Sequence, residues 1–201
     1  IFEWYEFCVF GYLAGIIGTL FFSGGNPILS LIKAFFIFAI GYLARPLGSV
    51  FFGYLGDFRS RKAALKLSLW MMAVPTIGLG FLPTSPAYRH MSLMLLIILR
   101  MCQGFAAGGE LPLSACYAYE ETRAKLKSLM CSIVSVSSLL GVVLGALVVC
   151  IMSHFFSDQA LLQGAWRIPF LISIPMTFYI LMVRRHIVDS VTHSFINVKD
   201  Y

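Results

Sequence analysis

The stretch Gly53-Tyr54-Leu55-Gly56-Asp57-Phe58-Arg59-Ser60-Arg61-Lys62 is a short charged knot between two long apolar runs, Ala34–Gly56 and Leu65–Leu82. Charge is costly in hydrocarbon and cheap at its edge, so an aspartate and three cations at this point mark a turn. One membrane helix leaves the bilayer there and the next turns back into it.

Composition agrees with that reading. Of the 201 residues, 59% are hydrophobic and only 12% are charged, and the mean hydropathy is +0.86. That balance excludes an ordinary soluble domain. One span takes ~20 apolar residues, so the chain has room for about six. The chain opens on Ile1, already beside apolar sequence, and further sequence is expected upstream. No small-residue cleavage site follows the first apolar run, which argues against a secretory signal. The net charge of +6 sits in loops, where it reads as membrane topology and not as a nucleic-acid surface. The five cysteines, Cys8, Cys102, Cys116, Cys131 and Cys150, lie scattered in apolar segments. They read as small core fillers, with no metal site, disulfide framework or cofactor implied.

The expected spans run from about Ile1 to Phe22, Ile32 to Gly56, Leu65 to Leu82, Met91 to Tyr117, Ser128 to Met152 and Trp166 to Val183. Turn residues Ser23-Gly24-Gly25-Asn26-Pro27 close the first, and Pro83-Thr84-Ser85-Pro86 the third. Arg45-Pro46 is expected to break span 2, and Pro75 to kink span 3. Ser153–Ala165 reads as a loop. The fold class is thus an all-α, six-helix transmembrane bundle over residues 1–183, followed by a polar segment, 184–201.

Counting Lys and Arg orients the bundle. Ten lie in the 2–3 loop, the 4–5 loop and the tail, against Lys33, Arg89 and Arg167 on the other side. Both visible termini are therefore expected in the cytoplasm. Acidic residues in spans 1 and 4, and small residues in spans 2 and 5, suggest two inverted three-helix repeats.

Charges inside spans are the functional signal, since each costs about 2.5–3.5 kcal/mol on insertion scales and so tends to face a bundle interior or wet cavity. Glu3, Glu6, Arg45, Arg100 and Glu110 are of this kind. Glu3 and Glu6 share a helix face, among Phe2, Trp4, Tyr5 and Phe7. Glu3 reads equally as an interfacial acid; Glu6 reads as an interior one. Arg100 lies deep in its span with Gln103 one turn on. Because arginine keeps its proton, Arg100 is expected to hold an anion or tune a carboxylate, the alternative being a buried structural pair. Glu110, just before Pro112, reads equally as a site acid or a helix-end acid. Arg45 is expected to reach a carbonyl or carboxylate on span 1 or 4, with helix locking as its simpler role. Gly141-Val142-Val143-Leu144-Gly145 permits close helix contact. His90, His154 and Asp158 read as solvated.

The knot resembles the signature loop of the major facilitator superfamily, with Gly53, Asp57, Arg59, Arg61 and Lys62 as the gating residues. Arg100-Met101-Cys102-Gln103-Gly104 resembles that superfamily's span-4 arginine motif. More narrowly, Glu3-Trp4-Tyr5-Glu6-Phe7, Ala44-Arg45-Pro46-Leu47-Gly48, Gly108-Gly109-Glu110 and Trp166-Arg167-Ile168-Pro169-Phe170 resemble the metabolite:proton symporter family, which includes proline/betaine, dicarboxylate, citrate and shikimate carriers. Phe58 stands where the family has a cation, Ser60 where it has glycine, and Glu6 where it has aspartate.

The resemblance implies the N-terminal half of a twelve-helix carrier in a bacterial inner membrane. A missing C-terminal six-helix half would meet Asp57 and its cations, and 184–201 would begin the cytoplasmic central loop. It also implies alternating access for a small polar metabolite with a proton, most simply an osmolyte such as proline or betaine. Glu6 or Glu110 would take the proton. Arg45 and Arg100 would hold substrate or tune the acids, with Glu3 and Gln103 beside them. A di- or tricarboxylate carrier, or a truncated non-transporting remnant, stays open. A membrane enzyme is disfavoured: Ser132–Ser138 reads as packing hydroxyls, and no nucleophile elbow or phosphate loop occurs. The partners expected are the substrate, the proton and the lipid bilayer, with no nucleic acid.

Overall fold

A computed structural model describes residues 1–22, 26–176, 178, 179 and 182 of the chain. All regular structure among these residues is helical. The first expected span is two helices, α1 (Phe2–Tyr12) and α2 (Ala14–Phe21), meeting at Leu13 with a bend of 58°. The apolar pattern runs straight through this bend, so hydropathy alone could not locate it. Gly11 and Gly15 flank it, and both leave room around the backbone.

α3 (Pro27–Phe58) begins five residues before the apolar count suggested. Asn26 caps it by accepting from the Ile28 amide at 2.9 Å, and Pro27 sits where its missing N–H costs nothing. At 32 residues it is about 48 Å long, more than the ~30 Å hydrocarbon core, so it tilts or projects beyond the core. The expected break at Arg45-Pro46 does not occur. Pro46 lies inside a continuous helix, because the tight seam with α5 described below holds both sides of it in line.

α4 (Arg61–Gly80) follows a two-residue turn, and Pro75 is likewise interior to it. With α5 (Arg89–Glu121) and α6 (Lys127–Phe155), the described residues contain four helices long and apolar enough to cross a membrane; the bent α1–α2 pair would make five. The expected loop 153–165 contains a further short helix, α7 (Asp158–Gln163). Ser157 caps it by accepting from Ala160 N at 3.3 Å, and Asp158 lies in its first turn, where a negative charge favours the helix dipole. Gly164 ends it at φ 145°, a left-handed conformation that favours glycine. α8 (Ala165–Met176) is shorter than a span, and most of the remainder of the expected sixth span lies outside the described residues, as does 184–201.

Glycine places the helices. α3 packs chiefly on α5, and a Cβ on Gly48 would overlap the Phe105 carbonyl, one on Gly104 the Gly41 carbonyl, and one on Gly108 the Arg45 carbonyl. The two backbones therefore touch over about two turns, a contact that small residues alone permit. On α6 a Cβ on Gly141 would overlap the carbonyl of Ile1, just before α1, and one on Gly145 would crowd the Tyr5 carbonyl of α1 at 3.1 Å, a close approach their spacing suggested. An apolar cluster of Val9, Phe10, Leu13, Ile17, Leu79, Leu96, Trp166 and Phe170 ties α1 and α2 to α4, α5 and α8. Arg167 Nη2 donates to the Leu82 carbonyl at 2.7 Å, and the Tyr5 hydroxyl donates to the Pro169 carbonyl at 3.1 Å. The Trp166–Phe170 motif is thus the clasp that seats α8.

Candidate functional site

The charges singled out in the sequence gather around α1, but in two clusters and not in one pocket. In the first, Glu6 of α1 is 1% exposed. The Thr76 hydroxyl of α4 donates to its Oε2. Gln103 Nε2 of α5 donates to Thr76 Oγ1 at 2.8 Å and lies 3.4 Å from the same Glu6 oxygen. Thr76 and Gln103 are themselves buried. Pro75 precedes Thr76, so the helix turn that carries this hydroxyl already lacks one backbone hydrogen bond.

Arg100 stands beside this cluster, 1% exposed. Its Nε, Nη1 and Nη2 have no hydrogen-bond partner among the described residues. The guanidinium carbon lies over Phe10, 3.5 Å from the ring centroid, and the cation acts on Glu6 through its charge without forming a direct ion pair. A buried cation held by an aromatic face, with its donor fork unused, is well suited to a carboxylate.

In the second cluster Arg45 of α3 lies 3.4 Å from Glu3 of α1. Its guanidinium packs against three rings, at 4.9 Å from Trp4, 4.4 Å from Phe7 and 4.6 Å from Tyr42. The expected reach from Arg45 to a carboxylate on span 1 is therefore made, with Glu3 as the partner. Behind Glu3 is a cavity of about 240 Å³ between α1, α5 and α6. Glu3, Glu110, Trp4, Ser114, Ser137 and Ser138 line it. Glu3 and Glu110 act on each other through their charges across this space. Glu6, Gln103 and Arg100 do not line it.

The knot at the α3–α4 turn is tied within this chain. Arg61 Nη2 is 3.5 Å from Asp57 and 2.9 Å from Glu120 at the far end of α5. Gly53 faces open space, whereas Gly56 packs against Leu113. Arg59 is exposed and Lys62 half-buried.

Sequence reasoning missed Thr76, the Trp4–Phe7–Tyr42 box and Glu120. Thr76 carries no charge and sits in an apolar run, and its carboxylate partner is 70 residues away. A hydroxyl next to a mid-span proline is the one trace it leaves in the sequence. The three rings are ordinary membrane-helix residues until Arg45 is placed among them.

Long apolar helices packed by glycine around buried opposite charges make a multi-pass membrane bundle. The solved structure of the proton:xylose symporter XylE bound to 6-bromo-6-deoxy-D-glucose matches with a TM-score of 0.82, over 92% of this chain and 42% of that one, at 18% identity. The chain belongs to the sugar (and other) transporter family, whose model it matches over residues 1–199. It is 35% identical to the glycine betaine/proline/ectoine/pipecolic acid transporter OusA of Dickeya dadantii, over 87% of this chain and 35% of that protein. It is 36% identical to the shikimate transporter of Escherichia coli, over 94% of this chain and 43% of that protein. The chain thus spans well under half the length of these relatives. Fold and relatives alike are those of transporters, not of enzymes.

Proposed function

We propose that the chain is the N-terminal half of a proton-coupled carrier for a small zwitterionic osmolyte of the proline or betaine type, working by alternating access. The observation that carries this reading is Glu6. It is a fully buried carboxyl held by neutral side chains, Thr76 and Gln103 together with Ser173 of α8, with a cation nearby but not bound to it. Such a group can gain and lose a proton without dismantling an ion pair, which is what coupling requires. Arg100 would receive the substrate carboxylate. The cavity between Glu3 and Glu110, separate from Arg100 in this conformation, would receive its ammonium end in a state of the cycle that brings the two clusters together, and Arg45, boxed by aromatic rings, would keep Glu3 oriented. Each role matches the chemistry of the group.

In this reading residues 1–183 form a six-span unit of two inverted repeats and 184–201 begin a cytoplasmic connection. The bundle sits in a bacterial inner membrane with its termini inside. A second six-helix half completes the pathway and meets the exposed face around Gly53 and Asp57. The similarity to a shikimate transporter favours a second reading, a carrier of organic acids, in which Arg100 plays the same part and the Glu3–Glu110 cavity holds no ammonium group.

The test is uptake of labelled proline, glycine betaine and shikimate by proteoliposomes bearing the protein that contains this chain, with and without an imposed pH gradient. Accumulation of proline or glycine betaine that follows the gradient, and fails with Glu6→Gln, supports the reading. Uptake indifferent to the gradient overturns proton coupling, and uptake of shikimate alone replaces the osmolyte by an organic acid.

A further inference from the structure

Thr76 has one proton to donate and two acceptors within reach. Its hydroxyl is placed on Glu6 Oε2 and also lies 3.0 Å from the Met72 carbonyl, one turn back on α4. Gln103 Nε2, at 2.8 Å, fills one lone pair of the same oxygen. All three side chains are buried, so water does not readily substitute for any of these bonds.

We propose that Thr76 is a positioning residue that switches its hydrogen bond as Glu6 gains or loses its proton; this rests on the reading of Glu6 as the coupling acid. With Glu6 ionised, the hydroxyl donates to the carboxylate. When a proton arrives on Oε2, the new Glu6 O–H donates to Thr76 Oγ1 and the Thr76 O–H turns to the Met72 carbonyl. A hydroxyl oxygen has one proton and two lone pairs. In the protonated state it accepts from Gln103 and from Glu6 and donates to Met72, so every valence is used. No proton passes through Thr76. What changes is the acceptor of its own proton, from Glu6 of α1 to the backbone of its own helix, while its bond with Glu6 reverses direction.

The switch sits one residue after Pro75, at the turn of α4 that lacks a backbone bond. Protonation of Glu6 thus removes the bond that α4 donates to α1 and adds one inside α4, where that helix is weakest. The charged and titratable groups facing Glu6 are Arg100 and Glu110 from α5, with Tyr5 and Glu3 from its own helix; α4 contributes the Thr76 hydroxyl and α8 the Ser173 hydroxyl.

The test uses pH-difference infrared spectroscopy on the purified protein, which needs no substrate. The carbonyl stretch of protonated Glu6 is the band that disappears in Glu6→Gln. In Thr76→Val, which keeps the shape but not the hydroxyl, that band shifts upward, because its O–H has lost its acceptor. In Thr76→Ser it stays in place. Thr76→Cys, of similar size and with a far weaker bond, serves if the valine variant does not reach the membrane. Proton-driven accumulation falls about tenfold in Thr76→Val, the scale of a lost hydrogen bond to a charged group, and recovers in Thr76→Ser. A Glu6 band that stays in place in Thr76→Val or Thr76→Cys overturns the switch and leaves Glu6 as the coupling acid. Absence of any band sensitive to Glu6→Gln overturns both.

Discussion

Arg61, the first residue of α4, lies 2.9 Å from Glu120, at the end of α5. The same guanidinium is 3.5 Å from Asp57 on the last turn of α3. One cation therefore ties together three helix ends on one side of the molecule. The family resemblance implies that the aspartate and its cations meet a second half; the structure shows an anchor within this chain.

That anchor is half-exposed, so its energy is modest. A double-mutant cycle with Arg61→Ala and Glu120→Ala should give a coupling of about 0.5 kcal/mol in thermal unfolding of the solubilised protein, diminishing as salt is raised. A coupling of several kcal/mol, or one indifferent to salt, would mean that the pair is buried by a contact beyond this chain.

The glycine seam makes a sharper prediction. Gly104→Ala and Gly108→Ala each place a methyl group into the backbone of α3. Each should cost about 1–3 kcal/mol or prevent stable insertion. Gly15→Ala and Gly53→Ala meet nothing within 4 Å and should leave folding unchanged, or improve it slightly through better helix propensity. Expression and melting temperature of the four variants decide the matter. Equal effects at all four positions would show that the seam does not set the helix spacing.

Most of the fold was legible because a bilayer demands long apolar helices. The knot and the Gly141–Gly145 face announced themselves in residue type, whereas Asn26-Pro27 reads as a turn and hid the true start of α3. The bend at Leu13 did not, since apolar residues continue through it and the deciding approach is tertiary: a Cβ on Gly18 would lie 2.8 Å from the Ser30 carbonyl. The short helix α7 hid because its cap and six residues look like a polar loop. Among site residues, charge in an apolar run revealed Glu6, Arg100 and Arg45, whereas pairing them needed the structure. Glu3, which reads from sequence as either interfacial or internal, is 5% exposed and joined to Arg45.

Arg45 tests whether the aromatic box matters beyond charge. Arg45→Lys keeps the cation but gives up the flat guanidinium packed against Trp4, Phe7 and Tyr42. A loss of about 1–2 kcal/mol is expected in melting experiments, from weakened cation–π contact. Arg45→Ala should cost more, because it also leaves Glu3 buried without its cation. If Arg45→Lys melts like the parent protein, the charge alone secures Glu3 and the rings are incidental.

Arg100 gives the contrasting case. Its fork touches no acceptor among the described residues, so little folding energy depends on hydrogen bonds from it. Arg100→Lys would lose the bidentate geometry that suits a carboxylate while keeping a positive charge near Glu6. A carboxylate-bearing substrate should then bind about tenfold more weakly, read as a rise in KM for uptake or in Kd for the purified protein. Melting temperature should change far less than affinity, because among the described residues the guanidinium makes no hydrogen bond and its one cation–π contact is with Phe10. A purely structural arginine reverses that order, with stability falling and affinity unmoved in whatever protein survives. The ratio of the two effects, more than either alone, separates an anion receptor from a packing residue.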